Sequence, residues 1–229
     1  MDGASAWTLV TSGDPALYAI VRLSLVVSLA AVAIASLVGM PLGALLALAR
    51  FPGRSAVIVF VNACMGLPPV VVGLSVFLLL SRSGPLGSLG ILFTPQAMVI
   101  AQAILVAPII AALTRQTIED MWSEYRDELT AMGVGPGRRV AALLWDARFA
   151  LVTTLLAGFG RAAAEVGAVM IVGGNIDGFT RTMTTAIALE TSKGDLPLAI
   201  GLGAVLMTIV LGINAFAWGV RRFGERYTG

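Results

Sequence analysis

The sequence contains no histidine and a single cysteine, Cys64. The first absence removes the commonest catalytic base and transition-metal ligand. The second excludes an intrachain disulfide and any multi-cysteine metal site. Cys64 lies in an apolar run, where it reads as a small hydrophobe. Charge is scarce as well. Asp, Glu, Lys and Arg make up 12% of the 229 residues, about half the roughly one quarter that a soluble domain carries to keep its surface wet. A net charge of +2 gives no sign of a nucleic-acid partner. No Gly-x4-Gly-Lys-Ser/Thr loop is present to cradle nucleotide phosphates, so any energy from ATP must come through another subunit. What fills the chain is apolar: 58% of residues are hydrophobic and the mean hydropathy is +0.92. Much of this surface does not meet water.

A bilayer core takes about 20 consecutive apolar helical residues. Five stretches qualify: residues 23–49, 55–80, 96–113, 149–173 and 196–220. The expected fold is therefore all-α, a polytopic bundle of about five membrane-spanning helices. Residues 1–21 hold Asp2 and Asp14 but no basic region ahead of a short apolar core, so no cleaved leader is expected. Basic residues set the orientation. With 115–148 in the cytoplasm, that side carries ten of them, among them Arg50, Arg54, Arg115, Arg126, Arg138 and Arg139. The other side carries four: Arg22, Arg82, Arg181 and Lys193. The positive-inside rule then puts the N-terminus outside and the C-terminus inside. Residues 1–18 become an outer tail, 19–220 the membrane domain and 221–229 a cytoplasmic tail. Two stripes of small residues, Ala35/Gly39/Gly43/Ala47 and Gly160/Ala164/Gly167, suit close helix packing within the chain.

Four features stand out against the apolar background. The first is the segment 115–148, long for a connection. Residues 118–132 lack Gly and Pro and carry Trp122, Tyr125, Leu129 and Met132 at helical spacing. Gly133 to Gly137 then break the pattern before a second helix. Such a hairpin either docks on a cytoplasmic partner or lies on the membrane interface. The second is Pro68-Pro69 in the second span, a kink that either shapes the bundle or lines a wet path. The third is Arg161 and Glu165, intramembrane charges four residues apart on one helix face. They are either a structural ion pair or a gate in a pathway. The fourth is the segment 174–195, rich in Thr, Ser and Gly. Hydroxyls, backbone N–H groups and a cation hold a tetrahedral oxyanion well. Thr180, Arg181, Thr182, Thr184 and Thr185 are accordingly candidates for a pathway mouth, although a loop that only docks a partner has the same composition.

Asp127-Glu128-Leu129, then Gly133, then Leu143-Leu144-Trp145-Asp146 resembles the motif that type I ATP-binding-cassette import permeases carry after the third of five spans. The acid, the glycine and the spacing match; the family's Ala-Ala pair and final proline are absent. Leu67-Pro68-Pro69-Val70-Val71-Val72-Gly73 is similar to a segment of molybdate permeases. The stretch from Gly158 through Arg161, Glu165, Asn175 and Arg181 to Asp195 looks like the tungstate branch of the molybdate/sulfate/tungstate permeases. The resemblance covers roughly residues 20 to 220. It implies that Asp127, Glu128 and Gly133 couple the chain to an ATPase subunit, and that Pro68, Pro69, Arg161, Glu165 and Asn175 belong to the pathway or its gate. It further implies a second copy of the chain, an extracytoplasmic oxyanion-binding protein, a prokaryotic plasma membrane, and ATP and Mg bound only by the partner. Molybdate or sulfate permeases remain alternatives, as, more remotely, does a channel or secondary transporter. The latter two predict inverted repeats or rings of buried ionisable groups, which are not evident.

Overall fold

In a computed structural model the backbone is described for residues 15–228, and the side chains of 220, 221 and 223–228 lie outside that description. The described residues form α1 (Pro15–Leu48), α2 (Arg54–Cys64), α3 (Pro69–Leu80), a 3-10 turn (Gly87–Leu89), α4 (Pro95–Ala131), α5 (Pro136–Asp146), α6 (Arg148–Ala163), α7 (Gly167–Gly173), α8 (Met183–Lys193) and α9 (Leu196–Thr228). Most of the expected outer tail lies outside the described residues; positions 15–18 are the first turn of α1. Three helices are long and apolar enough to cross a membrane unaided: α1, α4 and α9. The count reaches five when two bent pairs are each taken as one crossing, α2 with α3 (97°) and α5 with α6 (75°).

The helix boundaries differ from the hydropathy pattern for physical reasons. The apolar run of the third span stops at Leu113, but α4 continues unbroken to Ala131. Residues 114–131 contain neither Gly nor Pro, and a change of polarity alone does not end a helix. At 37 residues α4 is about 55 Å long, far more than the roughly 30 Å of hydrocarbon. Its polar half is a stalk. The fourth apolar run is interrupted at 164–166, between α6 and α7. The expected polar loop 174–195 contains α8 and packs into the bundle. The tail 221–229 is helical as far as Thr228, as the end of α9.

α4 is the axis on which three tiers of core side chains are stacked. At its Pro95 end, Ala97, Met98, Ala101 and Leu105 meet Val27 of α1, Val72 and Val76 of α3, and Ala168 and Val172 of α7. In the middle, Val106 and Ile110 meet Val32, Ala35 and Phe159. Lower down, Ile118 meets Ala44, Ala47, Leu143 and Leu151. The opposite faces stay apolar and uncovered, with Leu37 on α1 and Ile200 and Phe216 on α9 more than 70% exposed. Exposed apolar surface of that extent belongs to a lipid-facing protein.

Close approach of α1 to α4 rests on missing side chains. A Cβ on Gly43 would stand 2.4 Å from the Ala111 carbonyl oxygen, and one on Gly39 2.9 Å from that of Ala107. The first small-residue stripe therefore packs within the chain. The second does not act as a stripe: a Cβ on Gly160 would meet nothing within 4 Å, and Ala164 falls in the helix break. At the far end of α1, Arg54 donates from Nε to the Leu46 carbonyl at 2.7 Å. It also pairs with Glu119, which pairs with Arg115 as well. One guanidinium thus closes the C-terminus of α1 and ties it to the stalk.

Gly43→Val should force α1 and α4 apart and cost roughly 1–3 kcal/mol, the usual penalty for overpacking. Gly160→Ala should leave stability unchanged or slightly raised. Thermal denaturation of both variants in detergent checks the contrast; equal midpoints would contradict the packing described.

Candidate functional site

The two helix breaks meet. Residues 65–68 turn α2 into α3, with Pro68 capping α3 and Pro69 as its first residue. A Cβ on Gly73 of α3 would come 2.7 Å from the Ala168 Cα of α7, and one on Gly167 3.0 Å from Val70 Cγ2. Only glycines let these two half-helices touch. The last carbonyls of α2 are taken up at the bend. Asn62, Ala63 and Cys64 accept from the N–H groups of Met65, Gly66 and Leu67 in successive tight turns.

Glu165 sits at the second break with 3% of its side chain exposed. Its Oε2 receives Arg161 Nη1 at 2.6 Å, and its Oε1 receives the Ala168 N–H at 3.0 Å. Its own carbonyl accepts the Thr184 hydroxyl at 2.7 Å. The carboxylate is therefore neutralised by the turn before it and caps the first turn after it. Arg161 and Glu165 are brought together in the helix break, and both carboxylate oxygens are engaged.

The threonines of the segment after α7 are drawn inward. Thr180, Thr182, Thr184 and Thr185 are all buried. Thr180 Oγ1 donates to the Gly173 carbonyl and accepts the Ile176 N–H, closing the turn between them. That turn contains Asn175, at φ 49°, a conformation asparagine tolerates better than most residues. Thr185 Oγ1 accepts the Thr182 N–H at 3.0 Å, half of a capping box at the start of α8. Met183 N–H reaches across to Ser24 Oγ of α1 at 2.8 Å. These hydroxyls hold backbone rather than forming an open mouth. Arg181 stands apart, partly exposed and paired with Asp177 at 2.9 Å.

One side chain that the sequence reading passed over completes this centre. Gln102 of α4 is buried and donates Nε2 to the Ala162 carbonyl at 3.0 Å. Its Oε1 has no hydrogen-bond partner among the described residues. An amide six residues inside the third apolar run was the available signal. Gln102, Ser24, Ser28, Thr182 and Thr184 line a cavity of about 20 Å³, enough for roughly one water molecule. A carbonyl oxygen only accepts, so the amide atom facing Ala162 is the nitrogen and the oxygen is the one left unpaired. A tetrahedral oxyanion does not fit a cavity of this size.

The coupling candidates lie at the other end of α4. Asp127 and Glu128 are exposed in its last turns. Gly133 has φ 63°, and its N–H bonds the Thr130 carbonyl while the Val134 N–H bonds that of Leu129. These are the two bonds of a Schellman motif, whose left-handed position glycine fills at least cost. Arg139 of α5 lies 5.4 Å over the Trp122 ring of α4 and donates Nε to the Val134 carbonyl at 2.6 Å. The hairpin is thereby stapled shut, with Met132 and Trp145 on its surface, each more than 65% exposed.

Arg161→Ala should strand the Glu165 carboxylate in the bundle and destabilise the protein by about 3 kcal/mol, the low end for a broken buried pair. Adding Glu165→Gln in the same chain should recover part of that loss. Denaturant titration in detergent reads both; a neutral Arg161→Ala would remove the structural role given to the pair.

Comparison with known proteins fits this architecture. The sequence profile of the binding-protein-dependent transport system inner membrane components matches residues 39–223. A probable anion ABC transporter permease protein of Haloferax volcanii is 44% identical over 93% of both chains. A tungstate uptake system permease protein of Peptoclostridium acidaminophilum is 41% identical over 95% of both. A sulfate transport system permease protein of Escherichia coli is 24% identical, spanning all of this chain and 85% of the other. The chain is thus a member of the family of binding-protein-dependent transport system inner membrane components, a multi-pass transport subunit and not itself an enzyme.

Proposed function

We propose that the chain is the permease subunit of an ATP-driven oxyanion importer, and that the anion is tungstate. The observation that carries the substrate is end-to-end likeness, at 41% identity, to a permease named for tungstate uptake. Sulfate permeases stand much further off. The coupling role is supported by the shape of the hairpin. A charged stalk carries it beyond the apolar tiers, a Schellman turn and an arginine–tryptophan contact fix it, and Asp127, Glu128, Met132 and Trp145 are left uncovered. Charged residues around large exposed apolar anchors suit a groove on a partner protein. In this reading the hairpin faces the cytoplasm and seats an ATPase subunit, which binds ATP and Mg. The Pro95 end faces outward and receives the anion from a binding protein, and a second copy of the chain completes the path.

With the ATPase subunit and binding protein in proteoliposomes, ATP hydrolysis should be stimulated by tungstate at lower concentration than by molybdate or sulfate. Equal stimulation by molybdate would withdraw tungstate as the substrate; failure of any ATPase to associate would overturn the importer reading.

Gly133→Leu should insert in the membrane normally but lose ATPase association or anion-driven turnover. The cause is conformational rather than steric, since nothing lies within 4 Å of a Cβ there, while the left-handed backbone costs a branched residue roughly 1–2 kcal/mol. Gly133→Asn should keep most of the coupling. Normal transport in Gly133→Leu would remove the hairpin from the coupling path.

A further inference from the structure

A second, larger cavity lies at the opposite end of the molecule from the hairpin. It has a volume of about 370 Å³, within the roughly 300–1,000 Å³ of small-ligand sites. Ile20, Arg22 and Leu23 from the start of α1, Pro95 at the start of α4, and Asp177 and Arg181 from the turn after α7 contribute to its walls. We propose that this cavity is a binding site for a tetrahedral oxyanion, held between Arg22 and Arg181. The proposal rests on the importer reading above, which places this end outside, where the anion arrives.

The chemistry points one way. Each guanidinium group is a fork of donors with no acceptor. They come from elements far apart in sequence, yet they line one cavity. Asp177 engages only one edge of Arg181, through Nη1 at 2.9 Å, and is itself 78% exposed. The Arg181 Nε is buried with no acceptor among the described residues. A buried donor left unmade is costly, the more so on a charged group. The start of α4 adds to the field. Thr94 spends its hydroxyl on the Ile91 carbonyl and makes no side-chain cap, so the first-turn N–H groups of a 37-residue helix are uncapped beside Pro95. The inner cavity is the converse: it is the size of one water molecule.

Two sources supply the same chemistry: a free oxyanion arriving from outside, or the phosphate of a phospholipid whose chains run along the exposed Val26 and Leu29 of α1. The test uses the permease–ATPase complex purified in maltoside and depleted of phospholipid. Tungstate binding is measured by equilibrium dialysis with tungsten counted by mass spectrometry, and retention of added phosphatidylglycerol by native mass spectrometry. Saturable tungstate binding by the wild type is expected, weakened about tenfold by Arg22→Gln and by Arg181→Gln, as loss of a charge-assisted hydrogen bond predicts. Asp177→Asn should tighten it, an outcome that misfolding cannot imitate. Phospholipid retained by the wild type and lost in both arginine variants, without tungstate binding, assigns the oxyanion to a lipid phosphate. Neither ligand held, or binding indifferent to both arginines, overturns the site. If that happens while the wild type still shows tungstate-stimulated ATP hydrolysis with its binding protein, the cavity fails and the importer reading stands. Loss of the stimulation as well removes both.

Discussion

A helix that stops inside a membrane protein leaves backbone donors and acceptors with no bulk water to receive them, and most of this fold is arranged around two such stops. At the first, tight turns consume the carbonyls at the end of α2, and two prolines remove donors that would otherwise be unpaired. At the second, Glu165 accepts for α7 through its side chain and for α8 through its backbone. A carboxylate is the strongest acceptor available for a helix start, but a buried one must be neutralised. Arg161, one turn back, does this. The glycine contacts between α3 and α7 then follow, because half-helices too short to be stable alone need close packing to persist.

The second organising element is the length of α4. The same unbroken helix carries Gln102, bonded to the carbonyl of Ala162 three residues before Glu165, and Ile118, which joins the lower core. It also carries Glu119, fixed to Arg54 and Arg115, and Trp122, clasped by Arg139 of the hairpin. A displacement of the hairpin has a stiff, continuous route to the helix break. Physical continuity of this kind is what coupling between a docking surface and a pathway requires.

The bundle was legible in the sequence because apolar length is a strong signal and acts locally. The hairpin was legible too, because glycines after a periodic stretch mark a helix end. What could not be read was where polar side chains turn. Thr180, Thr182, Thr184 and Thr185 sit in a segment whose composition is that of a solvated loop, yet tertiary packing buries all four and uses them on backbone groups. Nothing in the spacing of Thr180 and Thr184 encodes their partners, the carbonyls of Gly173 and Glu165. The boundary at Leu113 misled for the opposite reason: hydropathy changes there while helix propensity does not. Arg54 and Glu119 are 65 residues apart, and such a pairing has no local signature.

The size of the inner cavity also bears on the route of transport. The polar centre where α1, α4, α6 and the start of α8 converge holds space for about one water molecule. An oxyanion passing through the middle of a single chain would have to part α1 from α4, whose contact at Gly39 and Gly43 leaves no room for even one added carbon. Interiors packed to that density are bistable rather than compressible. Passage along a face of the bundle asks for none of this, since it needs only a second wall. The uncovered surfaces of α1 and α9 are too apolar to supply that wall for a bare anion in lipid. The breaks in α2–α3 and α6–α7 are the places where a small shift of a half-helix changes backbone exposure without breaching the core.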